Sequence, residues 1–354
     1  MKKIVLTGGG TAGHVTPHFA LLPFLKENGY DIHYIGSKNG PERTLMDIEG
    51  VTYHPIQSGK LRRYFSWQNF TDVFRIIVGI VQSFFLILKI KPNVCFSKGG
   101  FVAVPVVVAT WLNKVPTLCH ESDLTPGLAN KICAKFVPKI ATTFPECAKM
   151  LGAKGMYIGT PMRPELFQGE RSKGLQLANF SGDRPVLMMV GGSLGAQKVN
   201  EVLRASLATI TKTMDVFHIC GKGNMDATLQ GMEGYAQFEY LNEDMPHAFA
   251  CADIVLSRAG SNAICELLAL HKPMLLVPYP KAATSRGDQV LNAKSFKERG
   301  IAHVLEQERL TKETLCDALE TLYTQKEDLI KAMQATSCDN GAGKIIDWIK
   351  EKSK

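Results

Sequence analysis

The sequence predicts an α/β protein made of two Rossmann-like domains. Three observations predict it. Short apolar runs alternate with helical patterns along the first half, which requires a parallel sheet covered on both faces. An apolar run leading into a glycine-rich turn occurs twice, at Gly8-Gly9-Gly10 and at Gly191-Gly192. Between them, residues 161–185 turn rich in Gly, Ser and charge. The length of 354 residues suits two domains of roughly 150 residues each. The expected boundaries are 1–163, a linker at 164–184, 185–340, and a terminal helix at 341–354 that packs back on the first domain. Two such sheets are expected to face each other across a cleft lined by strand carboxyl ends.

In chain order, Lys3–Thr7 is the first strand and its glycines form the first turn. His18–Asn28 reads as one helix stopped by Gly29. Asp31–Gly36, Val94–Ser97, Thr117–His120, Ile140–Thr143 and Met156–Gly159 read as further strands. The pattern restarts at Val186–Val190 and continues with Val216–Cys220, Asp253–Leu256 and Met274–Val277. Ser261 reads as the N-cap of a helix over Asn262–Leu270.

Composition narrows the class. At 45% hydrophobic and 21% charged residues, the chain is neither disordered nor collagen-like. Nine cysteines, an odd number with no C-x-x-C pair, read as small buried hydrophobes in a reducing compartment and not as disulfides or a zinc site. The N-terminus lacks a signal-peptide pattern, so a cytoplasmic setting is expected. The apolar stretch Ile76–Leu88 is too short for a span, and no transmembrane helix is expected. The net charge of +8 is unevenly placed. Residues 1–163 carry 19 basic and 9 acidic residues, and the remainder 22 and 24. The basic half is the one suited to an anionic partner.

Several motifs can carry chemistry. Gly8, Gly10 and Gly13 match G-x-G-x-x-G, a turn that brings backbone N–H groups to a phosphate. The acid that a dinucleotide ribose needs about 20 residues later is missing from His33-Tyr34-Ile35-Gly36. His14 lies just past the loop, where an imidazole could move a proton. Lys98-Gly99-Gly100-Phe101 is a second glycine turn, to which Lys98 adds charge. His120-Glu121-Ser122-Asp123 ends a strand with polar groups, but adjacent spacing suits one metal ion poorly and no D-x-D pair marks a divalent cation. In the second half, Gly191–Ala196 repeats the phosphate logic with Ser193 offering a hydroxyl. Arg258–Glu266 follows, with Glu266 set in an apolar helix as a candidate for a ribose diol. Asp288-Gln289 could read sugar hydroxyls.

Taken in this order, these motifs resemble the MurG family, the peptidoglycan enzymes that add N-acetylglucosamine to lipid I, and above all its Firmicutes form. The phrase Glu121-Ser122-Asp123-Leu124-Thr125-Pro126-Gly127-Leu128-Ala129-Asn130 adds to the likeness. The resemblance implies an inverting GT-B glycosyltransferase with neither cofactor nor metal. It implies a C-terminal domain that holds UDP-N-acetylglucosamine and an N-terminal domain that holds undecaprenyl-linked lipid I. His14 is then the general base or electrostatic partner at the acceptor hydroxyl, with Glu121 as a second catalytic residue. Thr11, Ala12, Gly13, Asp123, Arg163, Ser193, Ser261, Asn262, Glu266, Asp288 and Gln289 would serve the donor. Gly10, Gly99, Gly100 and Phe101 would hold the acceptor pyrophosphate. Asp123, Phe101 and Asp288 stand where the better-known members have Asn, Tyr and Gln, and Ala12 replaces a common Gly.

The family also implies a peripheral seat on the cytoplasmic face of an anionic membrane, with other cell-wall or division proteins as further partners. A helical stripe of Phe65, Trp67, Phe70, Phe74, Ile77, Ile80, Val81, Phe84 and Phe85, rimmed by Lys60, Arg62, Arg63 and Arg75, fits that seat, with Trp111 and Leu112 beside it. One face of the stripe is expected to be core. Nucleic acid is not expected, since the aromatic-plus-basic RNA signatures are missing. The alternatives are a transferase acting on another lipid and an NAD(P)-dependent oxidoreductase.

Overall fold

The computed structural model describes residues 1–59, 68–192, 195–281, 287–336 and 339–354, with backbone only at 68–70. It divides into two compact units, Met1–Arg163 with Asp339–Lys354, and Pro164–Cys338. In the first unit the strands are β1 (Lys3–Thr7), β2 (Asp31–Ser37), β3 (Thr52–Ile56), β4 (Val94–Ser97), β5 (Thr117–Glu121), β6 (Ile140–Thr142) and β7 (Gly155–Tyr157). Its helices are α1 (Leu22–Glu27), α2 (Pro41–Ile48), α3 (Gln68–Ile90), α4 (Ala103–Leu112), α5 (Leu128–Cys133) and α6 (Pro145–Met150). All strands are parallel, in the order β3-β2-β1-β4-β5-β6-β7.

The second unit holds α7 (Arg171–Ala178), β8 (Val186–Val190), α8 (Gln197–Ile210), β9 (Asp215–Ile219), β10 (Tyr235–Phe238), α9 (Met245–Cys251), β11 (Ile254–Ser257), α10 (Ser261–Ala269) and β12 (Met274–Leu276). It continues with α11 (Asp288–Glu298), β13 (His303–Val304), α12 (Lys312–Thr324) and α13 (Lys326–Gln334). Its sheet is again parallel, ordered β10-β9-β8-β11-β12-β13. The last helix, α14 (Gly341–Lys352), belongs to the first unit. Asn340 caps it by accepting from the Ala342 N–H at 3.0 Å. Ala342, Ile345 and Ile349 enter the same core as Ile4, Leu6, Leu21 and Tyr34.

Four expectations need correction. The single helix over His18–Asn28 is replaced by a 3-10 turn at Thr16–Ala20 followed by the short α1, because Pro17 and Pro23 interrupt the hydrogen-bond ladder. Gly260 is the N-cap of α10, and Ser261 is its first helical residue. The stretch 164–184 contains a 3-10 turn at Pro164–Phe167 and the helix α7, which packs against α9. The apolar stretch at 76–88 extends into the 23-residue α3, and Thr71–Ile90 is long and apolar enough to cross a membrane, with a mean hydropathy of 2.1. However, α3 lies against its domain. Gly79 approaches the Gln57 carbonyl so closely that a Cβ would come within 2.1 Å, and Ile87 and Ile90 sit in a core with Val5 and Ile35.

The eight described cysteines are free and seven are buried; Cys338 lies outside the described residues. Burial pushes the Cys251 thiol up to about 11. Three histidines are wholly buried, and two of them, His18 and His218, are pushed to similar values. His18 donates from Nδ1 to the Val15 carbonyl at 3.0 Å and sits edge-on to Tyr34 and Phe96. Burial, with a smaller effect from Lys98, pushes it down to about 3. Burial does the same to His218, also to about 3.

A depressed folded-state value means that the unfolded chain takes up protons first. Stability from these groups is complete above about pH 6.5 and is lost as the pH falls toward 3. At about pH 5 each of the two costs roughly 2 kcal/mol relative to pH 7. Urea titrations at the two pH values should show this loss, and His18→Phe should remove about 2 kcal/mol of it. An unchanged pH slope in His18→Phe would rule His18 out as a source.

Candidate functional site

The register of the first sheet builds the candidate site of the first unit. Thr7 pairs with Ser97 where β1 and β4 lie side by side, the point at which strand order reverses. Ligands of such sheets bind outside the strand ends there. The loops that leave these strands touch: a Cβ on Gly100, at φ +78°, would lie 2.2 Å from the Gly9 carbonyl. The Phe101 ring covers Gly10, at φ +88°, so closely that a Cβ would lie 2.4 Å from it. Glycine is therefore required at both places. Next along the first loop, Thr11 Oγ1 bonds His14 Nδ1 at 2.8 Å and leaves the imidazole half-buried. Ala12–His14 is a single 3-10 turn.

Glu42, overlooked in the sequence, holds these loops from behind. It is fully buried and accepts from the Gly10 N–H at 3.3 Å, the Ser37 N–H at 3.1 Å and the Ser37 hydroxyl at 2.5 Å. Gly9, Gly36 and Gly40 all crowd this one side chain. The only advance signal was its place in the first turn of α2 after a proline. The carboxylate is bonded internally and covered, so it cannot also bind a ribose diol, which counts against the oxidoreductase alternative.

Glu121 is 5% exposed and accepts from the Asp123 N–H at 3.1 Å, the Gly127 N–H at 2.7 Å and the Asn130 side chain at 3.0 Å. A carboxylate bonded to three donors organises the 122–127 loop. Lys98, expected to add charge to the second loop, is instead buried and bonded to His120 and Ser122. Arg163 is exposed at the end of a segment that Asn340 holds by two bonds to Met162.

The second unit repeats the geometry. Val190 pairs with Ser257, which sets Gly191 beside Arg258 at that sheet's own reversal point. A cavity of about 500 Å³ opens there, lined by Gly191, Gly195, Gln197, Arg258, Tyr279 and Gln289 among others. Arg258 donates to the Val277 carbonyl at 3.0 Å and to Gln307 at 2.6 Å, and lies over the Tyr279 ring. Burial lowers its pKa from the usual guanidinium value. Gln289 accepts from the Tyr279 N–H at 2.9 Å.

Of the expected donor residues, Gln289 lines this cavity. Asp288 opens α11 one residue before it. Ser261, Asn262 and Glu266 lie on α10, with Asn262 and Glu266 one turn apart and half-buried. Ser193 lies outside the described residues. Gln197, Tyr279 and Gln307 were not anticipated; Gln197 opens α8 just past a glycine loop, the one cue available. Among the described residues no cluster of three or more His, Cys, Asp or Glu side chains is arranged to hold a metal.

Residues 4–142 match the model of the glycosyltransferase family 28 N-terminal domain, and residues 186–348 match that of its C-terminal domain. A Clostridium tetani UDP-N-acetylglucosamine–N-acetylmuramyl-(pentapeptide) pyrophosphoryl-undecaprenol N-acetylglucosamine transferase is 53% identical over 351 residues, covering 99% of this chain and 98% of its own. The transferase of the same name from Geobacillus kaustophilus is 52% identical over 355 residues, covering 100% of this chain and 99% of its own. Among solved structures, Acinetobacter baumannii MurG aligns with a TM-score of 0.78 at 23% identity, covering 99% of this chain and 100% of its own. The calicheamicin glycosyltransferase CalG4 shares the fold, with a TM-score of 0.69 at 14% identity, covering 99% of both chains. The fold class is α/β, of the GT-B type. With both family 28 domains in order and about half of all residues shared along the full length, this chain belongs to the MurG family of glycosyltransferases.

Proposed function

We propose that the chain transfers N-acetylglucosamine from UDP-N-acetylglucosamine to lipid I, undecaprenyl-pyrophosphoryl-N-acetylmuramoyl-pentapeptide, and so makes lipid II for peptidoglycan. The observation that carries this is the 53% full-length identity to a transferase named for that reaction. The step is a single inverting displacement. The acceptor hydroxyl oxygen bonds to the anomeric carbon as the bond to UDP breaks, and the hydroxyl proton passes to His14. The contact between Thr11 and His14 supports this role, because it orients the ring. Thr11, Ala12 and Gly13 form the loop where the two substrates meet.

Gly10, Gly99, Gly100 and Phe101 receive the acceptor pyrophosphate, with Glu121 shaping the neighbouring loop that carries Asp123. On the donor side, Ser193 meets the phosphates, Glu266 the ribose, Arg163 the uracil, and Asp288 with Gln289 the sugar. Ser261 and Asn262 present the start of α10 to the nucleotide. Departing UDP gains stabilisation from loop amides and helix N-termini already in place. Arg258, an added candidate, faces the same cavity as a cation.

The enzyme is further proposed to sit on the cytoplasmic face of the membrane. Phe74, Ile77, Val81, Phe85 and Leu88 are all exposed along one face of α3, at helical spacing, and Trp111 and Leu112 are exposed on α4, which packs against it. Ile80 and Phe84 face inward in part. Phe65, Trp67, Lys60, Arg62 and Arg63 lie outside the described residues, and the Phe70 side chain is not described.

Turnover of UDP-N-acetylglucosamine with a short-chain lipid I analogue tests the reaction itself. In that assay His14→Ala should lose at least 100-fold in kcat while UDP still binds; near-normal turnover would remove His14 as base. Glu266→Ala should raise the donor KM about tenfold, equivalent to about 1.4 kcal/mol, and an unchanged KM would end the ribose assignment. The double variant Ile77→Ser, Phe85→Ser should float less with anionic liposomes yet bind UDP normally. Equal flotation would place the membrane contact elsewhere.

A further inference from the structure

The residue just past strand β4 is a lysine that is wholly inside the protein. Lys98 is 1% exposed. Its ammonium donates to His120 Nδ1 at 2.8 Å and to Ser122 Oγ at 2.6 Å. His120 in turn donates from Nε2 to the Gly159 carbonyl at 3.0 Å. That bond fixes the tautomer: the proton is on Nε2 and the bare lone pair on Nδ1 faces the ammonium. Burial and then the Lys98 charge hold this imidazole neutral, well below its usual range.

The bonds continue at both ends. Upstream, the Lys98 N–H donates to the Thr7 carbonyl at 2.9 Å, and Gly99 and Gly100 follow immediately. Downstream, Gly159 has φ +87°, and a Cβ there would lie 1.9 Å from the Asp339 carbonyl. Thr160 bridges Asn340, whose side chain bonds Met162 at both its N–H and its carbonyl. Arg163 comes next. One continuous set of contacts, all within the first unit, therefore runs from the glycine loop to Arg163. A buried ammonium is costly unless paired. A methionine would fill the same space without that cost, so packing alone does not account for a lysine here.

We propose that Lys98 is a positioning residue that couples the two substrate sites. Acting through His120 and Gly159, it holds the Gly99–Gly100 loop and the Arg163 segment in one fixed relation, so that acceptor bound at the loop improves the hold on the donor. This rests on the assignment of Gly99–Gly100 to the acceptor and Arg163 to the donor. Lys98 is covered by protein, so it acts through its neighbours and not by touching either substrate.

The test is steady-state kinetics of the full-length enzyme, with UDP-N-acetylglucosamine and a short-chain lipid I analogue varied together. The variants are Lys98→Met and the double variant Lys98→Met, His120→Gln. The glutamine keeps an N–H directed at Gly159 and removes the lone pair that faced the ammonium. UDP affinity by calorimetry serves as the fold control. Both variants should lose ten- to a hundredfold in kcat. The factor by which saturating acceptor lowers the donor KM should collapse toward one, while UDP affinity changes less than twofold. Unaltered kcat and coupling would overturn the proposal, as would an unmodified enzyme that shows no coupling. A kcat loss that merely tracks lost UDP-binding protein would also overturn it, since that is a structural role alone. Arg163→Ala, run alongside, separates the two levels. If its donor KM is unchanged, the site assignment fails; if that KM rises while the Lys98 variants are silent, only the coupling fails.

Discussion

Parallel pairing of two neighbouring strands, once in each unit, is the constraint on which the rest depends. A parallel sheet delivers all its strand ends to one edge. Where strand order reverses, the connections of two neighbouring strands run on to opposite faces of the sheet and leave a crevice outside the strand ends. The pairing of Thr7 with Ser97 sets Gly8 beside Lys98, and the pairing of Val190 with Ser257 sets Gly191 beside Arg258. A slip of one residue in either register would turn the outward-facing groups inward.

Glycine loops make this crevice usable, and they create a problem that the structure solves from beneath. A loop without side chains can approach a phosphate closely, but it has many conformations to lose. Here buried charged and polar groups hold it. Glu42 takes the Gly10 N–H, Tyr34 donates to the Gly8 carbonyl at 2.7 Å, and Glu121 gathers three donors of the next loop. The flexible residues lie at the strand ends, and the rigid ones are hidden below them.

This division explains what was legible in the sequence. The central strands and glycine turns stand out because burial on both faces demands continuous apolar runs, and close approach demands glycine. The overlooked strands β3, β10 and β13 are all at sheet edges. Edge strands are covered less and tolerate residues such as Pro55, so their apolar signal is weak. Glu42 escaped, and Lys98 was read as a loop charge instead of a buried one, because each acts through bonds to residues distant in sequence, and nothing in local spacing reports such a bond. The helical pattern over His18–Asn28 was misread because its apolar period outweighed Pro23 within it and Pro17 just before it. The run 164–184 was read as linker for its composition, yet α7 needs only a small apolar face to pack on α9.

The return of α14 to the first unit bears on the order in which a ribosome-bound chain can mature. Residues Pro164–Cys338 form one uninterrupted segment, so that unit can close while synthesis continues. The first unit, although begun first, lacks Ala342, Ile345 and Ile349 in its core until α14 emerges. The earlier-synthesised unit is therefore the last to be completed, and its glycine loops and apolar α3 face mature only after the second unit can already have closed.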